Sequence, residues 1–534
     1  MVYSLAPNIT SSNEFLDDFI WKSVDKWHDK TAFICTETKR SYTYSDAYRK
    51  CNAIASFLYT HDRVKQHDIT AVILPNVPEY GIILLGAIRA GLVVTTVNPS
   101  YSADEISRQL VDSNSKLIFT TNELYSIVKQ ALVVSNRETP IVVIKTTVGE
   151  SLSSDAIDFN DITEMNWNVQ FDVKRNINDT IILPYSSGTT GLPKGVELTH
   201  HNITSNLLQM TSPDFHLLSE TNKYNQDVVP LILPVFHIYG LTISLLNGML
   251  NGCKMPSISK FSSNVFLNVL KEFSPTIAHI VPPIFLLLLN NPRFQHNTLS
   301  SIRTLVSGAA PLGGTDIERF QRKTKNKISL LQAYGLTETS PLINIQGPRF
   351  QNKSKPGGIG FLLPCTEANI VSTESKKILG ANEPGEIIIR GPQVMKGYYN
   401  NQEATKRVLF DGWFQTGDVG YYNEFGEFFI TDRIKELIKV KGFQVAPAEL
   451  EEIIRNHPCV EDVAVVGVPH AYFGEVPKAF VVRKSGININ HSEIQEYVKK
   501  KVVHYKQLMG GISFIDTIPK STTGKILRKV LKDS

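Results

Sequence analysis

An apolar strand, an amphipathic helix and a second apolar strand follow one another between residues 68 and 97. Their sequences are DITAVILPN, VPEYGIILLGAIRAG and LVVTTVN, and Gly91 ends the helical pattern. A strand, helix and strand in this order form a βαβ unit, whose two strands lie parallel in one sheet. Similar patterns recur to about residue 350, as in SKLIFTT, SSNVFLNVLKEF and SIRTLVSG. The sequence therefore predicts an α/β fold with a large N-terminal domain of parallel sheets.

The pattern changes twice in the remainder of the chain. After residue 350, short strands such as GEIIIRG and GEFFITDR are separated by Gly, Asn and Asp turns, which indicates a β-rich subdomain. After Arg433, PAELEEIIRNH and SEIQEYVKKKVVHY read as helices, and VEDVAVVGV and KAFVVR read as strands. We expect an N-terminal domain over residues 1–432, a linker at 433–435 and a small α+β C-terminal domain over 436–534.

Composition excludes several classes of function. The chain has 534 residues and a net charge of only +4, with 55 Lys and Arg against 51 Asp and Glu. No strong positive field would attract nucleic acid or an anionic membrane. The five cysteines form no C-x-x-C pair, so neither a zinc site nor a disulfide framework is expected.

The location of the protein is expected to be cytoplasmic. The start of the chain lacks the basic and apolar regions of a secretory signal, and the final KDS is not an SKL-type address, although a peroxisomal location stays open. The longest apolar run, Val228–Leu250, contains Pro230, Pro234, His237 and Asn247. We therefore expect a buried strand, loop and helix there and no transmembrane segment.

The segment SSGTTGLPKG, residues 186–195, combines small hydroxyl residues, three glycines and one lysine directly after an apolar strand. Glycines allow a backbone with positive φ, and hydroxyl, amide and ammonium donors suit phosphate oxygens. The spacing is not that of a P-loop, which requires G-x-x-x-x-G-K-[ST]. A phosphate-binding loop and a structural loop both remain open from these residues alone.

Three further polar clusters could bind parts of a nucleotide. In QAYGLTETSP, Tyr334 offers a ring on which a base could stack, and Glu338 offers a carboxylate that could bind Mg²⁺. The alternative is that Thr337 and Glu338 only cap the start of a helix. In GWFQTGDVGYY, Asp418 is expected in a tight turn, where it could accept ribose hydroxyls or serve the turn itself. In PKSTTGKILRK, Lys525 lies between a turn and a helix-like tail, so it could project into a site.

The order of these clusters resembles the adenylate-forming superfamily of acyl-CoA synthetases, 4-coumarate:CoA ligases and beetle luciferases. The chain contains YSSGTTGLPKGVELTH, PVFHIYG, SGAAPLG, YGLTE, GEIIIRG, WFQTGD, DRIKELIKVKGFQVAPAELE and PKSTTGKILRK in that order. The resemblance implies an enzyme that uses ATP, Mg²⁺ and coenzyme A. It would convert a carboxylic acid to an acyl-AMP and then to a thioester, releasing pyrophosphate and AMP.

The resemblance also implies roles for individual residues. The ATP- and AMP-binding set would comprise Ser186, Ser187, Gly188, Thr189, Thr190, Lys194, Gln332, Tyr334, Thr337, Asp418 and Arg433. Glu338 would bind the metal ion, and Lys525, Lys439, His237 and Glu338 would be the catalytic set. The acid would contact Tyr239, Gly308, Ala309, Pro341 and Lys435, and coenzyme A would contact Lys260, Lys441, Gly442 and Gln444.

The resemblance further implies a mobile C-terminal domain. It would turn about the linker at Lys435, so that Lys525 serves the formation of acyl-AMP and Lys439 serves the formation of the thioester. Without this resemblance, the lysines at 435, 439 and 441 would be read as a solvated face.

The acid itself is not fixed by these motifs. The residues that the resemblance places around the acid form an apolar slot, which favours aryl-propenoic or medium to long aliphatic acids over acetate. Two residues depart from the 4-coumarate ligase pattern: Ile388 replaces a cysteine and Ala333 a glycine. Pro341 replaces a serine that is usual in luciferases. A luciferase-like monooxygenase and a ligase that loads a carrier-protein thiol remain the alternative functions.

Overall fold

The computed structural model describes residues 1–10, 12–147, 149–186, 193–441, 443–470, 472–487, 489–521 and 524–533. The first 210 residues contain a large sheet with helices on both sides. Its strands and those beside it are β1 (Val2–Tyr3), β2 (Thr31–Cys35), β3 (Ser41–Thr43), β4 (Ile69–Ile73), β5 (Val93–Thr96), β6 (Leu117–Thr121), β7 (Ile141–Ile144), β8 (Ile157–Asp158), β9 (Thr180–Ile182), β10 (Tyr185–Ser186) and β11 (Lys194–Thr199). The helices are α1 (Leu16–Trp21), α2 (Tyr44–Thr60), α3 (Tyr80–Arg89), α4 (Ala103–Ser113), α5 (Tyr125–Val134), α6 (Phe159–Glu164) and α7 (His200–Met210).

The βαβ prediction is confirmed by β4, α3 and β5. The two strands pair in parallel with Ile69 opposite Val93, and every residue of both strands is buried. The sheet order is β10-β11-β9-β5-β4-β6-β7-β8, parallel from β9 to β8 and antiparallel from β9 to β10. Strands covered on both faces need continuous apolar runs, which explains why this region reads as short uninterrupted Val and Ile segments.

A second sheet occupies the middle of the chain. The elements of this region are a π-helical segment (Tyr239–Leu246), α8 (Asn247–Leu250), β12 (Met255–Ser257), α9 (Ser263–Phe273), β13 (Ile277–Ile280), α10 (Pro282–Asn290), β14 (Thr304–Ser307), α11 (Gly314–Lys323), β15 (Ser329–Gly335), β16 (Leu342–Ile345) and β17 (Phe361–Leu362), of which β12 pairs with β2 in a separate three-stranded sheet. The strand order is β13-β14-β15-β16-β17, parallel over the first three strands. The apolar run Val228–Leu250 is largely buried here as loop and helix, and the expected strand is replaced by isolated bridges at Val228 and Leu231. Among the described residues, no helix combines the length and the apolar character needed to cross a membrane.

The β-rich subdomain and the C-terminal domain follow. The subdomain contains β18 (Glu367–Val371), β19 (Gly385–Arg390), β20 (Gly397–Tyr398), α12 (Gln402–Val408), β21 (Leu409–Phe410), β22 (Trp413–Tyr422) and β23 (Phe428–Arg433). The C-terminal domain contains β24 (Ile438–Val440), β25 (Phe443–Val445), α13 (Pro447–Arg455), β26 (Val460–His470), β27 (Gly474–Arg483), α14 (His491–Lys499), β28 (Ile512–Phe514) and α15 (Arg528–Lys532). This domain has hydrophobic clusters of its own, built around α13, α14 and the sheet β25-β24-β27-β26.

The helix expected over SEIQEYVKKKVVHY is shorter than the sequence indicated. It ends at Lys499, and a 3₁₀ turn follows at His504–Lys506. The β-branched pair Val502 and Val503 disfavours continuation of the helix, and Val503 has an extended backbone.

Candidate active site

The end of β15 and the pair β22–β23 meet in a cluster of tyrosine, aspartate and arginine. Tyr334 donates its hydroxyl proton to Asp418 Oδ2 at 2.7 Å, and Arg433 Nε lies 3.1 Å from Asp418 Oδ1. Asp418 is only 3% exposed. Burial, and then the neighbouring Asp418 carboxylate, raises the pKa of Tyr334 well above its usual value. The cluster therefore holds one carboxylate in place between a tyrosine hydroxyl and an arginine, whose positive charge balances it.

The tight turn expected at Asp418 is a strand in the structure. Asp418 lies within β22, directly opposite Arg433 of β23. Gly417 has a φ of +71°, and the pairing shifts register between Val419 and Gly420. A glycine in the left-handed region beside a bulge lets the strand bend locally without ending, which is why its sequence resembles a turn.

Glu338 lies on a 3₁₀ turn, Thr337–Thr339, that follows β15. Its Oε1 atom accepts hydrogen bonds from the hydroxyls of Ser186 and Tyr398, each at 3.0 Å. Tyr398 reaches this position because β20 pairs with β11, and the Lys194 Nζ atom lies 5.0 Å from the centre of the Tyr398 ring. Among the described residues, the Oε2 atom of Glu338 has no hydrogen-bond partner.

The carboxylate of Glu338 fits a magnesium ion that is held mainly by a nucleotide. Within the described part of the chain, no group of three or more His, Cys, Asp or Glu residues could hold a metal ion alone. Mg²⁺ commonly keeps several waters and binds one or two carboxylates together with phosphate oxygens. A single buried carboxylate with one unpaired oxygen provides this kind of ligand.

Lys525 approaches the same cleft on a hairpin of the C-terminal domain. The hairpin is closed by the bridge between Lys520 and Ile526 and by the bond from the Ser521 N–H to the Lys525 carbonyl at 2.8 Å. Surrounding protein, and then Arg433, lowers the pKa of Lys525, while Asp418 and Glu338 act in the opposite direction. Lys525 as a whole residue is nevertheless exposed to solvent.

His237 is the other titratable neighbour of this lysine. Burial, and then the Lys525 cation, lowers the pKa of His237 to about 3. The ring is therefore uncharged at neutral pH. The arrangement places one lysine among two carboxylates, an arginine and a neutral imidazole.

An apolar wall lies beside His237. The Tyr239 hydroxyl donates to the Val306 carbonyl at 2.9 Å, and a Cβ at Gly308 would lie 2.9 Å from Tyr239 Cε1. Glycine at 308 is therefore required for the Tyr239 ring to pack this closely against the end of β14. Behind the ring is a small cavity lined mostly by apolar residues, and its His279 has a pKa lowered to about 4 by burial. No charged side chain lines this cavity at neutral pH.

Comparison with known proteins identifies the family. The model for "AMP-binding enzyme" matches residues 20–399, and the model for "AMP-binding enzyme C-terminal domain" matches residues 449–525. The chain belongs to the family of AMP-binding enzymes. This AMP-binding enzyme is 38% identical to a probable 4-coumarate--CoA ligase 1 of Dictyostelium discoideum, over 99% of the chain and 96% of the relative. It is also 38% identical to 4-coumarate--CoA ligase 3 of Arabidopsis thaliana, over 99% and 93% of the two chains.

Solved structures give the same family. The ATP-bound MatB of Rhodopseudomonas palustris superposes with a TM-score of 0.85 at 27% identity, covering 98% of this chain and 99% of the other. The large N-terminal domain, the β-rich subdomain and the separate C-terminal domain of the AMP-binding enzyme are thus an established architecture.

Several predicted site residues of the AMP-binding enzyme lie together in the cleft. Ser186, Tyr334, Glu338, Asp418, Arg433 and Lys525 are linked by the contacts above, and Lys194 and Lys435 adjoin them, since burial and then Lys194 lower the pKa of Lys435. Of the predicted acid-site residues, Gly308 and Ala309 directly follow β14, and the Tyr239 hydroxyl contacts Val306 of this strand. Ala309 has a φ of +70°. Pro341 follows the turn that contains Glu338, and its carbonyl accepts a hydrogen bond from the Leu336 N–H at 3.0 Å.

Gln332 has a structural role in this arrangement. Its side-chain oxygen accepts from the Leu312 N–H at 2.8 Å, and its amide nitrogen donates to the Gly358 carbonyl at 2.9 Å. The side chain is 3% exposed and braces the loop after β14. A contact between Gln332 and a nucleotide stays a prediction.

The residues predicted to bind coenzyme A, and the predicted catalytic residue Lys439, lie elsewhere. Lys439, Lys441 and Gln444 are exposed on the β24–β25 hairpin, and Lys441 Nζ lies 3.7 Å from the centre of the Tyr472 ring. Lys260 is exposed on a bend after β12. Ser187, Gly188, Thr189, Thr190 and Gly442 lie outside the described residues, so their predicted roles stay predictions.

Sequence reasoning missed Tyr398, which contacts both Glu338 and Lys194. It lies 60 residues from Glu338 in the chain, in the unremarkable segment KGYYN. Only the pairing of β20 with β11 brings it to the site. No local pattern could have revealed this contact.

Proposed function

We propose that the protein is an ATP-dependent acid:CoA ligase that forms an acyl-AMP and transfers the acyl group to coenzyme A. Lys525 carries the proposal, because a lysine from the C-terminal domain has Asp418, Glu338 and Arg433 of the N-terminal domain as its electrostatic neighbours. Family membership and the 4-coumarate--CoA ligase names of its relatives support the same reaction.

The first half-reaction joins a carboxylate to AMP. A carboxylate oxygen attacks the α-phosphorus of ATP, a C(O)O–P bond forms, and the bond to the β-phosphate oxygen breaks to release pyrophosphate. Two anions must approach each other, so a cation beside the α-phosphate stabilises the transition state. Lys525 supplies that cation, and Asp418 accepts the ribose hydroxyls. A magnesium ion held by ATP and Glu338 would offset charge on the phosphate oxygens.

His237 orients the acid in this scheme. With a pKa of about 3, its ring is a poor acceptor for a thiol proton but can hydrogen bond while neutral. The second half-reaction forms a carbon–sulfur bond as the carbonyl–oxygen bond to AMP breaks, and the thiol proton passes to solvent. Lys439, Lys441, Gly442, Gln444 and Lys260 serve this half, after the C-terminal domain turns about residues 433–435.

The acid has an apolar and uncharged body. Tyr239, Gly308, Ala309, Pro341 and Leu342 are the residues we expect to form the slot, and the small cavity that Leu342 lines next to them has no charged side chain at neutral pH. A second carboxylate at the far end of the substrate would be buried there without a partner, at a cost of several kcal/mol. The relatives' names support an aryl-propenoic acid, and a medium or long aliphatic acid fits the same slot.

Pyrophosphate release with a panel of acids tests the function. We expect release with cinnamate-type or medium-chain acids, little with acetate or dicarboxylates, and thioester formation only when coenzyme A is present. Absence of pyrophosphate with every acid would refute the ligase function. Release without any thioester would favour a ligase for a carrier-protein thiol, and light with luciferin and oxygen would favour a luciferase.

The compartment stays a prediction. We place the reaction in the cytoplasm, and imaging of a fluorescent fusion would distinguish this from a peroxisomal location.

A further inference from the structure

The turn that carries Lys525 touches the N-terminal domain through Gly524. This glycine is buried, has a φ of +80°, and its N–H donates to the Ser521 carbonyl at 2.8 Å. A Cβ placed on it would lie 2.8 Å from Cδ and 2.9 Å from Cγ of Pro283. Real Cβ atoms essentially never approach other atoms so closely, so residue 524 must lack a side chain in this arrangement.

Pro283 cannot easily move away. It is in the first turn of α10, directly after Pro282, where a proline ring has a fixed φ and needs no hydrogen-bond donor. The Cγ2 atom of Val281, the last residue of the extended segment before α10, lies 3.6 Å from the same Cβ position. The hairpin therefore rests on a rigid apolar surface, next to the lysine that enters the cleft.

We propose that Gly524 and Pro283 are positioning residues for the formation of acyl-AMP. Their close contact seats the hairpin so that Lys525 reaches the α-phosphate, and any side chain at 524 would hold the hairpin away from its seat. The proposal rests on the ligase function proposed above. Because Lys525 leaves the cleft in the second half-reaction, thioester formation from supplied acyl-AMP does not use this contact.

The experiment compares the two half-reactions in full-length variants. Gly524→Ala should slow acyl-AMP formation, measured as pyrophosphate release in a single turnover, by at least tenfold. Conversion of supplied acyl-AMP and coenzyme A to the thioester should stay within about twofold of the unchanged protein. The matched control is Gly486→Ala, because Gly486 also has a left-handed φ, of +77°, but nothing lies within 4 Å of its Cβ position. This control should leave both half-reactions unchanged.

The partner residue provides a rescue. Pro283→Ala removes the ring that the new Cβ would strike, so Gly524→Ala combined with Pro283→Ala should form acyl-AMP within about threefold of Pro283→Ala alone. Failure of this rescue would assign the defect to backbone strain in the turn and overturn the contact. Normal acyl-AMP formation by Gly524→Ala, or equal loss of both half-reactions, would overturn it as well. An unchanged protein that activates no acid would instead refute the ligase function itself.

Discussion

At the scale of single residues, the two oxygens of Glu338 differ in their surroundings. Oε1 accepts the hydroxyls of Ser186 and Tyr398, and Oε2 has no hydrogen-bond partner among the described residues. The two hydroxyl donors hold the carboxylate in one orientation while leaving one oxygen for a cation. The motif YGLTE pointed to Glu338 as a metal ligand, but the residues that orient it come from segments more than 50 positions away, so a local pattern could not supply them.

Glu338→Gln should therefore raise the magnesium concentration needed for half-maximal pyrophosphate release by about tenfold or more. An amide of the same shape keeps an oxygen for Ser186 and Tyr398 but loses the negative charge that binds the metal ion. Titration of Mg²⁺ at saturating ATP measures the effect. Tyr398→Phe is the control, because it removes one hydroxyl donor and keeps the carboxylate, and its magnesium requirement should change far less. An unchanged requirement in Glu338→Gln would remove Glu338 from the metal site.

Lys525→Ala and Lys439→Ala should have opposite effects on the two half-reactions. Loss of one preorganised charge beside a reacting phosphate commonly slows a reaction by about 10²–10³-fold. Lys525→Ala should lose acyl-AMP formation to this extent and still convert supplied acyl-AMP, and Lys439→Ala should do the reverse. Single-turnover measurements of each half-reaction decide the matter. Equal loss of both halves in both variants would contradict the separate roles of the two lysines.

At the scale of elements, local sequence patterns predicted most strands and helices, but not where they end or which residues cap them. β4, α3 and β5 follow from periodicity and Gly91 alone. By contrast, α13 begins at Pro447 without a side-chain cap from its own N-cap residue, and Asp432 of β23 accepts the Ala448 N–H at 2.9 Å instead. The cap comes from the other domain, 16 positions earlier, and its origin cannot be read from the helix sequence.

The carboxylate of Asp432 should make stability depend on pH. Burial raises its pKa to about 6, although Arg528 acts in the opposite direction. The folded protein thus binds this proton more tightly than the unfolded chain, and the stabilising contribution is full below about pH 4 and declines as pH rises through about 6. Asp432→Asn cannot titrate, so between pH 4.5 and 7.5 its free energy of unfolding should improve relative to the unchanged protein by about 2 kcal/mol.

Urea unfolding at a series of pH values measures this difference. Asp172→Asn, at an exposed position, is the control and should give a curve parallel to that of the unchanged protein. Parallel curves for Asp432→Asn would show that the Asp432 carboxylate does not titrate in this range.

At the scale of the whole molecule, the chain forms two bodies, each with its own main core, and a small hydrophobic cluster of Val419, Leu437 and Ala446 joins them. The largest hydrophobic cluster contains residues from Ala6 to Phe428, and the clusters of the C-terminal domain contain residues from Ile438 to Leu531. Contacts between the bodies include Asp432 with Ala448, Thr373 with Gln444 at 3.4 Å, and Pro283 with Gly524. The sequence indicated both bodies through the change of pattern near residue 433. It could not indicate their contacts, which depend on how the two finished surfaces meet.

Separate cores lead to a prediction about the two parts of the chain. Expressed alone, residues 1–435 should fold, because their core does not depend on the C-terminal domain, and should bind ATP within about tenfold of the full chain, since Tyr334, Asp418 and Arg433 are all retained. Residues 436–534 should unfold cooperatively on their own.

The larger part should nevertheless form acyl-AMP about 10²–10³-fold more slowly, as Lys525→Ala does in the full chain, because both lack the same cation. Calorimetric titration with ATP, thermal unfolding and pyrophosphate release measure the three quantities. Full-rate release by residues 1–435 would show that Lys525 is dispensable, and absence of a cooperative transition in residues 436–534 would show that the small core cannot stand alone.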